Sequence, residues 1–188
     1  MCLPICILLL TLGALITWTG RTWCEDEKVF KPKNGVFTIT LPAGETTGDR
    51  SKVMMIGKHR VPVEASGSKS KDGTQFLSAS IGIPAVVMRD IPAEKRFDIL
   101  RDAILKPMNG TVTGEKDIEH DTITGKEYQI NLASGAARMQ LYTISGFVVY
   151  AIVDGKDKDS VNTKQANAFY NSLKMSDKAK DVFRRVKR

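Results

Sequence analysis

Apolar and polar residues alternate along much of the chain with a period of two, which is typical of half-buried β-strands. The alternation is clear in residues 36–41 and again in residues 75–83. Residues 66–73, which precede the second of these stretches, are rich in Gly and Ser and predict a flexible hairpin loop. The strands on either side of this loop are therefore predicted to pair antiparallel.

The stretch 51–65 keeps apolar residues at odd positions but is interrupted by Gly57. This pattern predicts either two strands or one long strand with a bulge. The residues predicted to share one buried face are Val53, Met55, Val61, Val63 and Ala65.

Between Pro92 and Met108 the period changes to that of an amphipathic helix. Pro92 stands at a first-turn position, and Asn109-Gly110 forms the expected helix-ending turn. A last helix is predicted over residues 159–173, with Asp159 or Ser160 as its N-terminal cap. The apolar positions of the first helix are Phe97, Leu100, Ala103, Ile104 and Met108.

Between these two helices a second run of strands is predicted. Phe147–Val153 contains no polar residue, which indicates a central strand covered on both faces. Strands grouped between helices favour an α+β fold: an antiparallel sheet of six to seven strands with helices packed on both of its faces. The four predicted strands cover residues 111–119, 122–133, 136–145 and 146–153.

The first 24 residues predict a targeting segment. Residues 3–20 carry no charge, which fits the apolar region of a secretory signal. Thr22 and Cys24 are small residues at the −3 and −1 positions for cleavage before Glu25. No Lys or Arg precedes the apolar run, so an uncleaved membrane anchor and a buried core helix stay open as alternatives.

The chain divides into a signal peptide or anchor (1–24), a polar lead-in (25–35), a single α+β domain (36–176) and a basic tail (177–188). Of the net charge of +7, the tail contributes +4, so the domain itself is nearly neutral. This distribution excludes the basic surface stripe that nucleic-acid binding requires. Membrane contact is expected, if at all, through residues 3–20 or the tail residues 178–188.

The three cysteines, Cys2, Cys6 and Cys24, lie in the targeting segment. The domain therefore has no internal disulfide, no cysteine metal site and no thiol nucleophile. A domain without thiols is compatible with an oxidising compartment, which agrees with a periplasmic or secreted location. The alternative is a membrane-anchored protein facing outside the cytoplasm.

Four stretches of the chain carry a resemblance to a known group of proteins, in which they occur in the same order. The stretches are Gly35–Pro42, Arg101–Ala103, Gly125–Ile130 and Arg138–Tyr142. They resemble exported bacterial domains of unknown function, whose architecture is similar to the PsbP-like α/β/α sandwich of a photosystem II extrinsic subunit. The resemblance implies that fold and an exported location, and it carries over no catalytic residue.

The candidate chemical groups are few. His59 is interpreted as a strand-edge residue and His120, between Glu119 and Asp121, as a solvated turn residue. Each of the other motifs favours a loop or turn rather than a site. They are the S-x-x-K matches Ser66–Lys69 and Ser68–Lys71, the alternating acidic residues Asp154–Asp159, and the sequon Asn109–Thr111.

The sequence thus assigns no catalytic, cofactor-binding or metal-binding residue and implies no cofactor. It favours a non-enzymatic binding or accessory domain outside the cytoplasm, whose partner is an unidentified protein or small ligand. Two alternatives stay open: an enzyme or small-ligand binder with a site dispersed in sequence, and a membrane-apposed protein held by the N-terminal segment or the tail. The oligomeric state is not indicated.

Overall fold

The computed structural model of the chain describes residues 22–24, 26–144, 146–177 and 179–180. Most of the predicted signal segment 1–24, and the tail from residue 181 onward, lie outside the described residues. Signal cleavage before Glu25 therefore stays a prediction.

Within the described residues the chain forms twelve β-strands and three α-helices. The strands are β1 (Thr22–Cys24), β2 (Lys28–Phe30), β3 (Phe37–Leu41), β4 (Gly44–Thr46), β5 (Arg50–Ile56), β6 (His59–Lys69), β7 (Gln75–Gly82), β8 (Thr111–His120), β9 (Ile123–Leu132), β10 (Gly135–Ile144), β11 (Phe147–Gly155) and β12 (Lys174–Met175). The helices are α1 (Ala85–Asp90), α2 (Arg96–Leu105) and α3 (Lys164–Asn171), with short 3-10 turns at Ala93–Lys95 and Lys106–Met108.

The main sheet contains nine antiparallel strands, more than the six to seven predicted. Its order is β1-β4-β6-β7-β11-β10-β9-β8, and β5 lies end to end with β4 along the same edge of β6. The extra strands β1 and β4 are too short for an alternating pattern to reveal them. A second sheet, in the order β12-β3-β2, contains the strand predicted over residues 36–41.

Apolar side chains are buried on both faces of the main sheet. One face packs against β2, β3, β12 and α3, and the other against α1 and α2. In the central strand β11, Val149 and Val153 lie on the first face, while Val148 and Ile152 lie on the second; each is at most 1% exposed. The predicted α+β fold with a doubly covered strand over Phe147–Val153 is thus confirmed.

The stretch 51–65 forms two strands joined by a tight turn, but the predicted buried face is wrong for the first strand. Val53 and Met55 are 66% and 50% exposed, whereas Met54 and Ile56 pack inward. The register pairs Met54 with Val61, so an even position on β5 shares a face with an odd position on β6. The turn therefore reverses the parity of the pattern.

The predicted flexible loop over residues 66–73 is also largely wrong. Residues up to Lys69 belong to β6, and Ser66 and Ser68 are buried. A Cβ atom at Gly67 would lie 2.7 Å from the carbonyl oxygen of Phe76, so glycine is required there for close strand approach. The small residues in this stretch serve packing rather than flexibility.

The helices are shorter than predicted. α2 lies inside the predicted range 92–108, and Asn109 adopts the left-handed conformation (φ 50°) expected of a helix-ending residue. α3 begins at Lys164, and Thr163 rather than Asp159 or Ser160 is its cap, accepting a hydrogen bond from the backbone N–H of Ala166. The sequence analysis missed α1, because a helix of six residues is too short for a helical period to emerge.

Candidate functional site

A buried polar network lies between the main sheet and α3. The stretches Gly125–Ile130 and Arg138–Tyr142, on which the sequence resemblance was based, run side by side in β9 and β10. Glu127 stands directly opposite Gln140, so their side chains share the face that α3 covers. Glu127 is 3% exposed and Gln140 is 9% exposed, and both are therefore removed from bulk water.

Glu127 is held as a carboxylate by three donors. Arg138 Nη2 and Gln140 Nε2 donate to one carboxylate oxygen over 2.8 and 2.9 Å, and Lys116 Nζ lies 2.9 Å from the other. Burial alone would raise the pKa of Glu127, but these hydrogen bonds hold the pKa below its ordinary value. The carboxylate is therefore charged at neutral pH.

The same network anchors α3 to the sheet. Arg138 Nη1 donates to Asn167 Oδ1 over 2.7 Å, and the guanidinium carbon lies 4.7 Å from the centre of the Tyr170 ring. The Tyr170 hydroxyl donates to the Arg138 carbonyl and accepts from the backbone N–H of Val153 over 3.2 Å. Each contact joins one protein group to another, which indicates a structural role rather than a ligand site.

His120 is not the solvated turn residue that was predicted. Its side chain is 25% exposed, and Nε2 lies 2.5 Å from the carbonyl oxygen of Leu173. The imidazole also packs edge-on against Tyr142, with 6.2 Å between ring centres. The prediction failed because β12 and the residue before it return to cover this end of β8.

Asp121 completes this attachment of the C-terminal segment. With Thr122 it forms the β8–β9 turn, and both residues have positive φ angles, 52° and 69°. Its carboxylate accepts a hydrogen bond from the backbone N–H of Met175 over 3.1 Å and lies 3.2 Å from Lys180 Nζ. His120 and Asp121 thus hold the segment around β12 and do not converge on an open site.

A cavity of about 480 Å³ lies between the tip of the β5–β6 hairpin and the first two helices. His59 and Asp90 lie side by side in its lining, with 3.0 Å between Nε2 and Oδ2. The His59 side chain is only 24% exposed, so it is a paired, largely enclosed group rather than a simple strand-edge residue. The lining residues are Ile56, Gly57, Lys58, His59, Val87, Asp90, Ile91 and Ile99.

The lining combines apolar side chains with three polar ones, Lys58, His59 and Asp90. This combination, at this volume, is typical of sites that bind small molecules or single side chains. The aliphatic side chains suit an apolar ligand body, and Lys58 suits an anionic group. A histidine oriented by a carboxylate can also act as a general base.

The sequence analysis missed Asp90 and Val87 as cavity residues because it missed α1. Pro84, which is followed by a run without Gly, was an available signal that a helix begins there.

The remaining candidate residues do not assemble a site. Ser66 and Lys69 lie three positions apart on a strand and therefore point to opposite faces, unlike the helical spacing that S-x-x-K chemistry needs. Asp157 accepts a hydrogen bond from the backbone N–H of Ser160 over 2.8 Å, as a turn residue does. Within the described ranges, no group of three or more His, Cys, Asp or Glu side chains is placed to hold a metal ion.

Asp154 carries a testable pH dependence. Burial raises the pKa of its carboxyl, although a hydrogen bond from Gln75 and the charge of Lys69 oppose this. Because this pKa is higher in the folded state than in the unfolded state, the folded state binds the proton more tightly. The stability that proton binding contributes is present at acid pH and is lost as pH rises through the folded-state pKa. Asp154→Asn is therefore expected to increase the free energy of unfolding at neutral pH. Urea titrations should show the gain disappearing at acid pH, and a gain that is the same at both pH values would contradict this.

Comparisons with known proteins concern the fold alone. No protein-family model matches the chain, and no curated protein matches it. The structure is similar to the solution structure of cyanobacterial PsbP (CyanoP) from Synechocystis sp. PCC 6803, with a TM-score of 0.49 and 10% sequence identity over 88% of this chain and 99% of that one. Among the described residues, no helix combines the length and apolar character needed to cross a membrane.

Proposed function

We propose that the chain is a non-enzymatic binding or accessory domain that acts outside the cytoplasm and binds its ligand in the cavity beside His59. The observation that carries this proposal is the 480 Å³ cavity itself, with apolar walls and the His59–Asp90 pair at its edge. Its chemistry favours a ligand with an apolar body and one anionic group, either a small molecule or a side chain of a partner protein.

Anilinonaphthalene sulfonate, which has an apolar ring system and one anionic group, is a suitable probe. The folded chain should bind it with increased fluorescence, and Lys58→Glu should weaken the affinity by about tenfold, because the variant reverses the charge at the cavity rim. Lys158→Glu is the matched control, since this exposed lysine lies at the opposite end of the sheet. Equal affinities for the two variants would contradict the proposal.

Export is supported by the uncharged run 3–20 and by the restriction of cysteines to residues 1–24. Intact-mass spectrometry of protein expressed with its full leader should give a mature chain that begins at Glu25. A chain recovered from the cytoplasm with Met1 in place would contradict export, and a membrane-bound chain of full length would favour the anchored alternative instead.

An enzymatic alternative has one supporting observation, the His59–Asp90 contact. If His59 served as a general base, His59→Gln would abolish turnover of a substrate while leaving probe binding intact. The binding proposal instead expects both His59→Gln and Asp90→Asn to alter probe affinity. Both side chains line the cavity, so this pair of variants separates the two functions.

A further inference from the structure

The main sheet has an edge that accepts an added strand. β5 pairs with β6 on one side, and no described strand pairs with its other side. Next to it, β1 pairs with β4 along the same edge, with Thr22 opposite Thr46 and Cys24 opposite Gly44. The chain therefore shows, with its own residues, that an antiparallel strand fits beside this edge.

Signal cleavage would remove the short strand that lies next to β5 along this edge. The inferred cleavage before Glu25, which belongs to the proposed function above, removes Thr22–Cys24 and with them β1. In the exported chain the outer side of β5, Arg50–Ile56, would then have no strand of the leader beside its N-terminal end. Natural proteins rarely leave a long strand edge without a partner or protection.

The side chains along β5 indicate what would pair there. Arg50 and Lys52 share the face of Met54, whereas Val53 and Met55 lie on the other face and are 66% and 50% exposed. The strand β5 contains two cations, Arg50 and Lys52, and no Asp or Glu. Because opposed residues in a sheet share a face, an added strand would place alternate side chains beside cations and beside apolar groups.

We propose that the exported chain binds an extended segment of a partner protein, in which acidic and apolar residues alternate, as an antiparallel strand on β5. Backbone hydrogen bonds supply affinity in this mode of recognition, and alternate side chains supply specificity. The charges also disfavour a second copy of the chain as the occupant, because in the fully overlapped antiparallel register each Lys52 would lie opposite Met54 and diagonal to the other Lys52, with no acidic partner.

The test uses the exported chain and a synthetic peptide in which Val and Glu alternate over the length of β5. We expect saturable binding by fluorescence anisotropy and slowed amide hydrogen exchange in Arg50–Ile56. A peptide of the same sequence with an N-methyl group on every backbone amide keeps the charge but cannot donate strand hydrogen bonds from either edge, and it should not bind. Lys52→Glu should weaken binding by about tenfold relative to Lys158→Glu.

Several results would overturn the inference. One is that the N-methylated peptide binds as tightly as the unmodified one, and another is that exchange slows outside β5 instead of within it. A third is that the exported chain associates with itself through β5 and binds no peptide, and a fourth is that it binds anionic vesicles and not the peptide. The sulfonate probe distinguishes this failure from failure of the proposed function. If the probe binds at the cavity and the peptide does not bind, only the strand-addition inference is wrong.

Discussion

Replacing Arg138 with Met is expected to lower the free energy of unfolding by about 3–5 kcal/mol. The substitution removes the main cationic partner of Glu127, which is 3% exposed and would remain as a buried charge without adequate compensation. It also removes the hydrogen bond to Asn167 and the guanidinium contact with Tyr170, so the attachment of α3 weakens at the same time. Chemical denaturation measures the loss directly.

Two controls separate the buried charge from a general packing defect. Lys116→Met removes a cation from the same carboxylate, but this lysine is 63% exposed and should contribute less than about 1 kcal/mol. The double variant Arg138→Met with Glu127→Leu removes both buried charges and should recover much of the lost stability. A double variant no more stable than Arg138→Met alone would contradict this account of the network.

The pH dependence of the wild type follows from the same network. The donors around Glu127 hold its pKa below the ordinary value, so its contribution to stability is present above the unfolded-state pKa and is lost as pH falls through the folded-state pKa. In Arg138→Met the principal donor to Glu127 is absent. The variant should therefore lose less stability than the wild type when Glu127 is protonated at acid pH. Comparing denaturation midpoints of the two proteins at neutral and acid pH measures the difference.

Gly125→Ala is the second substitution with a large expected effect, a loss of about 2–3 kcal/mol. A Cβ atom at this position would lie 2.5 Å from Cδ1 of Tyr142 and 2.7 Å from the carbonyl oxygen of Leu141. Tyr142 is 1% exposed and donates to Gln140 over 2.9 Å, so its ring cannot move aside without disturbing the network. Thermal or chemical unfolding should show the loss.

Gly114→Ala is the matched control, since this glycine also lies in a strand of the same sheet. Its added Cβ atom would lie 3.5 Å from the side chain of Gln129, an ordinary contact distance. The control should change stability by no more than about 0.5 kcal/mol. Similar losses in both variants would show that glycine is needed for backbone reasons rather than for the Tyr142 ring.

The elements with long, regular patterns could be predicted from the sequence. The strands β7 to β11 and the helix α2 lie close to the predicted ranges, because each spans enough residues for its period to emerge. Strands of two or three residues, such as β1, β4 and β12, cannot show a period. Val53 and Met55 were wrongly assigned to the buried face, because the tight turn shifts the buried positions from even residue numbers in β5 to odd residue numbers in β6.

The candidate site was harder to predict than the fold. His59 was interpreted as a strand-edge residue, because its partner Asp90 lies 31 positions away on a helix without a clear apolar period. The network around Glu127 was visible only as a strand pattern, because alternate positions in β9 and β10 mix polar and apolar types. Convergence of such residues depends on strand register, which the sequence does not display.

Binding in the cavity beside His59 is the central claim, and methyl NMR spectra recorded during titration with anilinonaphthalene sulfonate test it most directly. The account predicts saturable shift changes at Ile56, Val87, Ile91 and Ile99, which line the cavity. Val29, which is 63% exposed and lies in the second sheet, should not change. Saturating changes at Val29 with none at the cavity methyls would contradict the claim.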